Sequence, residues 1–126
     1  MPLGGVPNTH YGFSVEGDLD VSMPTGTPLP PVMGFAVGAD QDSTSGPSRG
    51  IVSLYRGENC SFVNSISGPF DKGHFGASIS KTRMMHSAMT PDFYVGAPGD
   101  SAVGFGSGAV YSVKNSGTIL NSYFNN

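Results

Sequence analysis

Tryptophan is absent from this chain, cysteine occurs once, and only 12% of the residues are charged. A lone Cys60 excludes an internal disulfide and a thiolate metal cluster. Six basic against nine acidic residues leave no basic patch to follow a phosphate backbone, so nucleic acid is not an expected partner. No apolar run approaches the roughly 18 residues that a membrane-spanning helix needs. The opening Met1-Pro2-Leu3-Gly4-Gly5 lacks the basic-then-apolar pattern of a signal peptide, so for an exported protein the leader is expected to be missing from this chain or not of the usual kind. Helical periodicity is missing as well. Gly or Pro interrupts nearly every window, at roughly 1 to 3 kcal/mol each inside a helix. The least unfavourable helical window, residues 81–89, is short.

What the chain has in quantity is glycine, with 19 Gly, 10 Pro and 17 Ser in 126 residues. That composition fits either a disordered chain or many short strands punctuated by turns. Leu, Ile, Val and Phe total 28 and the net charge is only −3, which opposes disorder. Eight short apolar segments can be read as strands: 11–16, 33–38, 50–55, 61–66, 75–80, 92–96, 108–113 and 118–124. Each is bounded by Gly, Pro, Asn, Asp or Ser, the residues that supply turn geometry.

The eight segments form two sets of four. A shift of 58 lays Phe35-Ala36-Val37-Gly38-Ala39 on Phe93-Tyr94-Val95-Gly96-Ala97. In that register Asp42 meets Asp100, Ser43 meets Ser101, Gly46 meets Gly104, Gly50 meets Gly108 and Val52 meets Val110. Upstream, a shift of 64 lays His10-Tyr11-Gly12-Phe13-Ser14-Val15 on His74-Phe75-Gly76-Ala77-Ser78-Ile79. Downstream, a shift of 57 lays Val63-Asn64-Ser65 on Leu120-Asn121-Ser122. The difference between 64 and 58 is a Pro-rich insertion at 23–32 in the first unit. A repeat of about 60 residues with four strands per unit is the pattern of propeller blades.

These residues resemble the FG-GAP repeat, the blade of integrin-alpha-like β-propellers. His74-Phe75-Gly76-Ala77-Ser78-Ile79 is similar to its Phe-Gly opening. Pro91-Asp92-Phe93-Tyr94-Val95-Gly96-Ala97-Pro98 is similar to its Gly-Ala-Pro segment, and Gly106-Ser107-Gly108-Ala109-Val110-Tyr111 to the strand that follows. The first unit departs from the pattern with Tyr11-Gly12 in place of Phe-Gly and Gly38-Ala39-Asp40 in place of Gly-Ala-Pro. The expected fold is all-β: two four-stranded antiparallel blades, one over residues 8–69 and one over 70–126. Closed propellers have about four to eight blades, and terminal repeats need a neighbour or a cap. Completion by oligomerisation or by flanking repeats is therefore expected. Three copies would supply six blades.

The resemblance also implies where sites would lie. Many blades of the family hold Ca²⁺ on an acidic loop between their first two strands, where alternate side chains converge oxygens on the ion. Asp18, Asp20 and Ser22 are the candidates in the first unit, with Glu16 nearby. The second unit keeps only Asp92, with Lys81, Arg83 and His86 in the remaining positions. Asp92 otherwise reads as capping its own loop. Asp42 and Ser43 recur as Asp100 and Ser101, which points to a shared turn role. His10 and His74 recur before the aromatic-Gly pair and are expected to hydrogen-bond backbone at the turn between units. Asn59-Cys60-Ser61 fits the glycan acceptor pattern, with Asn59 as the acceptor, and Cys60 is expected to be half-buried. In the family, ligands meet the face built from the strand 2–3 and blade-to-blade loops. Here those are 40–49, 67–73 and 98–107, which nominates Arg49, Phe70, Asp71, Lys72 and Phe105. Met84, Met85, Met89 and Phe105, in or near loops, are read either as a contact surface or as cover for the blade.

No Gly-x-Ser-x-Gly elbow and no paired acid and base are present, so catalysis is not expected. The resemblance implies a non-catalytic extracellular or cell-surface module for adhesion or self-assembly, with a protein partner or a second copy of the chain. Two alternatives stay open. One is a carbohydrate-binding propeller, which the lack of Trp for sugar stacking disfavours. The other is an accessory domain of a secreted hydrolase.

Overall fold

The computed structural model describes residues 8–21, 33–82, 92–102, 104 and 106–124. They form eight strands and, among the described residues, no helix. In chain order these are β1 (Tyr11–Asp20), β2 (Met33–Ala39), β3 (Ile51–Arg56), β4 (Phe62–Ser67), β5 (Ser78–Lys81), β6 (Phe93–Ala97), β7 (Ala109–Val113) and β8 (Ile119–Phe124). The protein is all-β: two four-stranded antiparallel sheets, ordered β1-β2-β3-β4 and β5-β6-β7-β8. Most of the helical window at 81–89 lies outside the described residues.

The sequence repeat is reproduced in the strand register. Ser14 pairs with Gly38 in the first sheet, and their counterparts Ser78 and Gly96 pair in the second. Phe35–Tyr55 and Ala39–Ile51 correspond to Phe93–Val113 and Ala97–Ala109. Both outer hairpins carry an irregularity at the same place, between Leu54 and Tyr55 and between Ser112 and Val113. The connection after it is one residue shorter in the second sheet, which accounts for the shift of 57: Tyr55 pairs with Phe62, but Val113 with Ile119. Cys60 and Gly117, matched by that shift, both have left-handed backbone, with φ of 57° and 99°.

β1 runs further than residues 11–16, because a register irregularity between Glu16 and Leu19 restores the pleat. An inserted residue changes which face the following side chains take. Leu19 thereby returns to the core side and is buried. Asp18 and Asp20 lie in this strand extension, where only their backbone is described, and Ser22 lies outside the described residues.

The two sheets share one core, and they contribute opposite faces to it. From the first sheet come Leu19, Ala36, Val52, Leu54 and Ile66; from the second come Phe75, Phe93, Val95, Ala97, Tyr111 and Val113. Under the repeat, Val52 and Ile66 correspond to Val110 and Tyr123, which point away from this core. The sheets are thus stacked front to back rather than face to like face. Burying an apolar side chain of this size contributes roughly 1.5 to 3 kcal/mol. Backbones of the two sheets approach most closely at the first strands, β1 against β5, with β2 against β5 next.

Candidate functional site

The junction between the sheets is the most elaborated part of the molecule. The segment entering β5 lies along the end of the 40–49 loop. Lys72 N donates to Pro47 O at 2.6 Å, His74 N to Ser48 O at 3.0 Å and Phe75 N to Arg49 O at 3.1 Å. Gly50 and Phe75 form a parallel bridge. Gly50 has φ of 85°, and a Cβ there would stand 2.0 Å from Phe75 O, so both backbone angle and close approach require glycine. Ser14 Oγ donates to Gly76 O at 2.6 Å, tying β1 to the second sheet.

Asp40 joins the two recurring histidines. Its carboxylate is nearly buried, with His10 Nδ1 at 3.2 Å from one oxygen and His74 Nδ1 at 3.3 Å from the other. The expected backbone partner for these rings is corrected: they engage a side chain, because Asp40 stands where the second unit has Pro98. Among the described residues no group of three or more His, Cys, Asp or Glu is arranged to hold a metal ion.

Arg49 and Asp71 form an ion pair, Nε to Oδ1 at 2.9 Å, on the outer side of the same junction. Arg49, Phe70, Asp71 and Lys72 are therefore brought together, and Phe105 lies outside the described residues, as do Met84, Met85, Met89, Arg83 and His86. Three of the four have a structural task here, since Arg49 O and Lys72 N are junction hydrogen-bonding groups and Asp71 holds Arg49. Phe70 is exposed and, with Pro69, edges an open cleft of about 420 Å³ whose floor includes Tyr111, Ile119 and Phe124.

The shared turn role of Asp42 and Asp100 is visible atom by atom. Each accepts at Oδ1 from the amide two residues on, Thr44 and Ala102, both at 2.9 Å. Each also accepts at its carbonyl from Gly50 or Gly108. Asp100 differs in being buried and in accepting from the Tyr111 hydroxyl, where the first unit has Ser53. Burial, followed by this hydrogen bond and the nearby carboxylate, pushes the Tyr111 phenol above its ordinary value of 10.0. Tyr11 is raised as well, by burial first and then by its 2.9 Å hydrogen bond to Tyr55.

Asp92, just before β6, contacts a hairpin distant in sequence. Its Oδ2 accepts from Asn115 N at 2.8 Å and pairs with Lys114 Nζ at 3.3 Å, both on the β7–β8 hairpin, with both charged side chains buried. Cys60 is exposed, not half-buried, because it occupies the tip of the β3–β4 hairpin. Asn59 is exposed on the same hairpin, its Oδ1 accepting from Ser61 N at 3.0 Å.

Beyond the junction, the face of each sheet turned from the shared core is buried in part, at Val37, Ala39 and Tyr55 of the first sheet and Ser112 of the second, and exposed in part. Val110 and Tyr123 of the second sheet are 44% and 52% exposed, whereas their counterparts Val52 and Ile66 are 0% and 4% exposed. On the first sheet, Val15 is 62% exposed, whereas its counterpart Ile79 packs against the shared core. Met33 and Phe62 are exposed on the same face of the first sheet as Val15. Isolated exposed hydrophobics are ordinary, but clusters on a sheet face mark contact surfaces. Neither a protein-family model nor a curated protein matches this chain.

Proposed function

We propose that the two sheets are successive FG-GAP-like blades of a propeller-type assembly, and that the chain is a non-catalytic module for structural interaction or adhesion. One observation carries this. Two units in the same internal register stack front to back, with the first strands closest. A heterologous contact of this type can be repeated, closing into a ring when the rotation per unit allows it. The close approach at β1 and β5 supports a wedge arrangement around an axis near the first strands. Extracellular exposure and calcium on the first unit belong to this same proposal through the family resemblance.

The test is a covalent tandem of three copies of the chain. Repeat stacks gain stability through nearest-neighbour interfaces. The tandem should melt in one cooperative transition, several degrees above the single chain. A tandem that melts like independent single chains would remove the reading.

A further inference from the structure

We infer that β8 is a strand-addition edge, and that its occupant is β8 of a second copy of this chain, paired antiparallel about a two-fold axis. The inference does not depend on the blade reading, since an edge can be paired whether or not the sheets close into a ring. β8 ends its sheet, and among the described residues it pairs with β7 alone. Asn121, Ser122 and Tyr123 are exposed in succession. Their counterparts in β4 are not: Asn64 and Ser65 are half-buried and Ile66 is buried, and Asn64 Nδ2 donates to Asn115 O at 3.2 Å. Sheet edges are ordinarily guarded by Lys, by Pro or by an inward charge. From Asn115 to Asn126 the chain has no charged residue and no Pro.

A groove accompanies this edge. Every residue of β8 except Tyr123 lines the open cleft, together with the exposed Phe70. Ser122 and Phe124 pair with Tyr111 and Ala109 and so lie on the core side of the sheet, whereas Tyr123 and its partner Val110 are exposed on the reverse side. A strand added to β8 would meet main-chain donors and acceptors at the edge and apolar surface on both faces, which is the arrangement of β-strand addition. The strand that fits is uncharged and carries apolar side chains for both faces. β8 itself has these properties, with Phe124 for the cleft side and Tyr123 for the reverse. A two-fold axis perpendicular to the sheet keeps each face on its own side, so the second copy's Phe124 falls on the cleft side and its Tyr123 on the side of Val110. The absence of charge matters because a two-fold contact sets like against like, and a charge near the axis would repel its own copy. One strand from each copy makes a small contact, so the pairing is weak and depends on concentration.

The experiment is light scattering on the full chain from about 10 µM to 1 mM, a range that captures contacts weaker than micromolar. Wild-type protein should rise toward twice the chain mass and stop there, because a two-fold contact closes on itself. Asn121→Lys and Asn121→Asp each set a charge beside its own copy at an exposed position. Each alone should be monomeric where wild type is dimeric. Mixed in equal amounts, they should recover the dimer, since opposite charges then face each other across the two strands. Asn121→Thr, uncharged and suited to a strand, should dimerise as wild type does. Circular dichroism checks that all three variants keep the β-fold. Wild type that stays monomeric, a mass that climbs past two chains, charged variants that dimerise alone, or a mixture that stays monomeric would each overturn the inference. None of these results bears on the blade reading, which concerns stacking within one chain and is read separately by the tandem melt.

Discussion

Gly50 and Gly108 show how one residue type serves two situations. Their backbones match, with φ of 85° and 82°, but Gly50 lies tighter against its neighbour, 2.0 Å being the separation a Cβ would have from Phe75 O. At Gly108 the nearest atom would be Pro98 O at 3.2 Å. Gly50→Ala should therefore cost about 2–3 kcal/mol, and Gly108→Ala only about 1 kcal/mol for the left-handed backbone. Denaturant titration of the monomeric forms measures both, and equal costs would contradict this view of the junction. Tyr111 offers a second test. The folded state holds its phenolic proton more tightly than the unfolded chain does. Its contribution to stability is complete below the ordinary value of 10.0 and is lost as pH climbs above it. Unfolding midpoints should fall above about pH 10, and Tyr111→Phe should flatten that fall.

Among the elements, the eight strands were legible because each is short, apolar and bounded by turn residues. The repeat added their register, since matched residues must face matched neighbours. What could not be read were the contacts at positions where the repeat breaks. Asp40 replaces the Pro98 of the second unit, Asp92 occupies the place of Gly34, and Tyr111 that of Ser53. Each of the three carries a polar contact with no counterpart in the other unit. Sequence spacing does not announce partners 30 or 34 residues away, as His10 and His74 are from Asp40. The departure from the repeat was the available signal. The Asp92–Lys114 pair clamps the β7–β8 hairpin to the start of β6, with both groups buried. Asp92→Ala removes the carboxylate that receives Lys114 Nζ and Asn115 N and should cost about 1–3 kcal/mol, which thermal melts read directly. An unchanged melting temperature would mean that the hairpin is held by its apolar contacts alone.

At the scale of the whole molecule, 19 glycines first raised the question of whether this chain folds at all. Many of them sit at matched turns of two equivalent sheets, so composition that suggests disorder instead punctuates short strands. The two sheets bury one interface, in which Val52 and Ile66 are covered while their counterparts Val110 and Tyr123 are exposed. The front-to-back stacking of two matched units is the central claim. The candidate interaction face was legible only in part: Arg49, Asp71 and Lys72 sit at the expected loops, but they mainly hold the junction together. Phe70, Asp71 and Lys72 are all exposed there, Phe70 being the apolar one.

The most direct measurement is the thermal melt of the covalent three-copy tandem beside that of the single chain. The account predicts one cooperative transition several degrees above the single chain. A tandem that melts like independent single chains would contradict it.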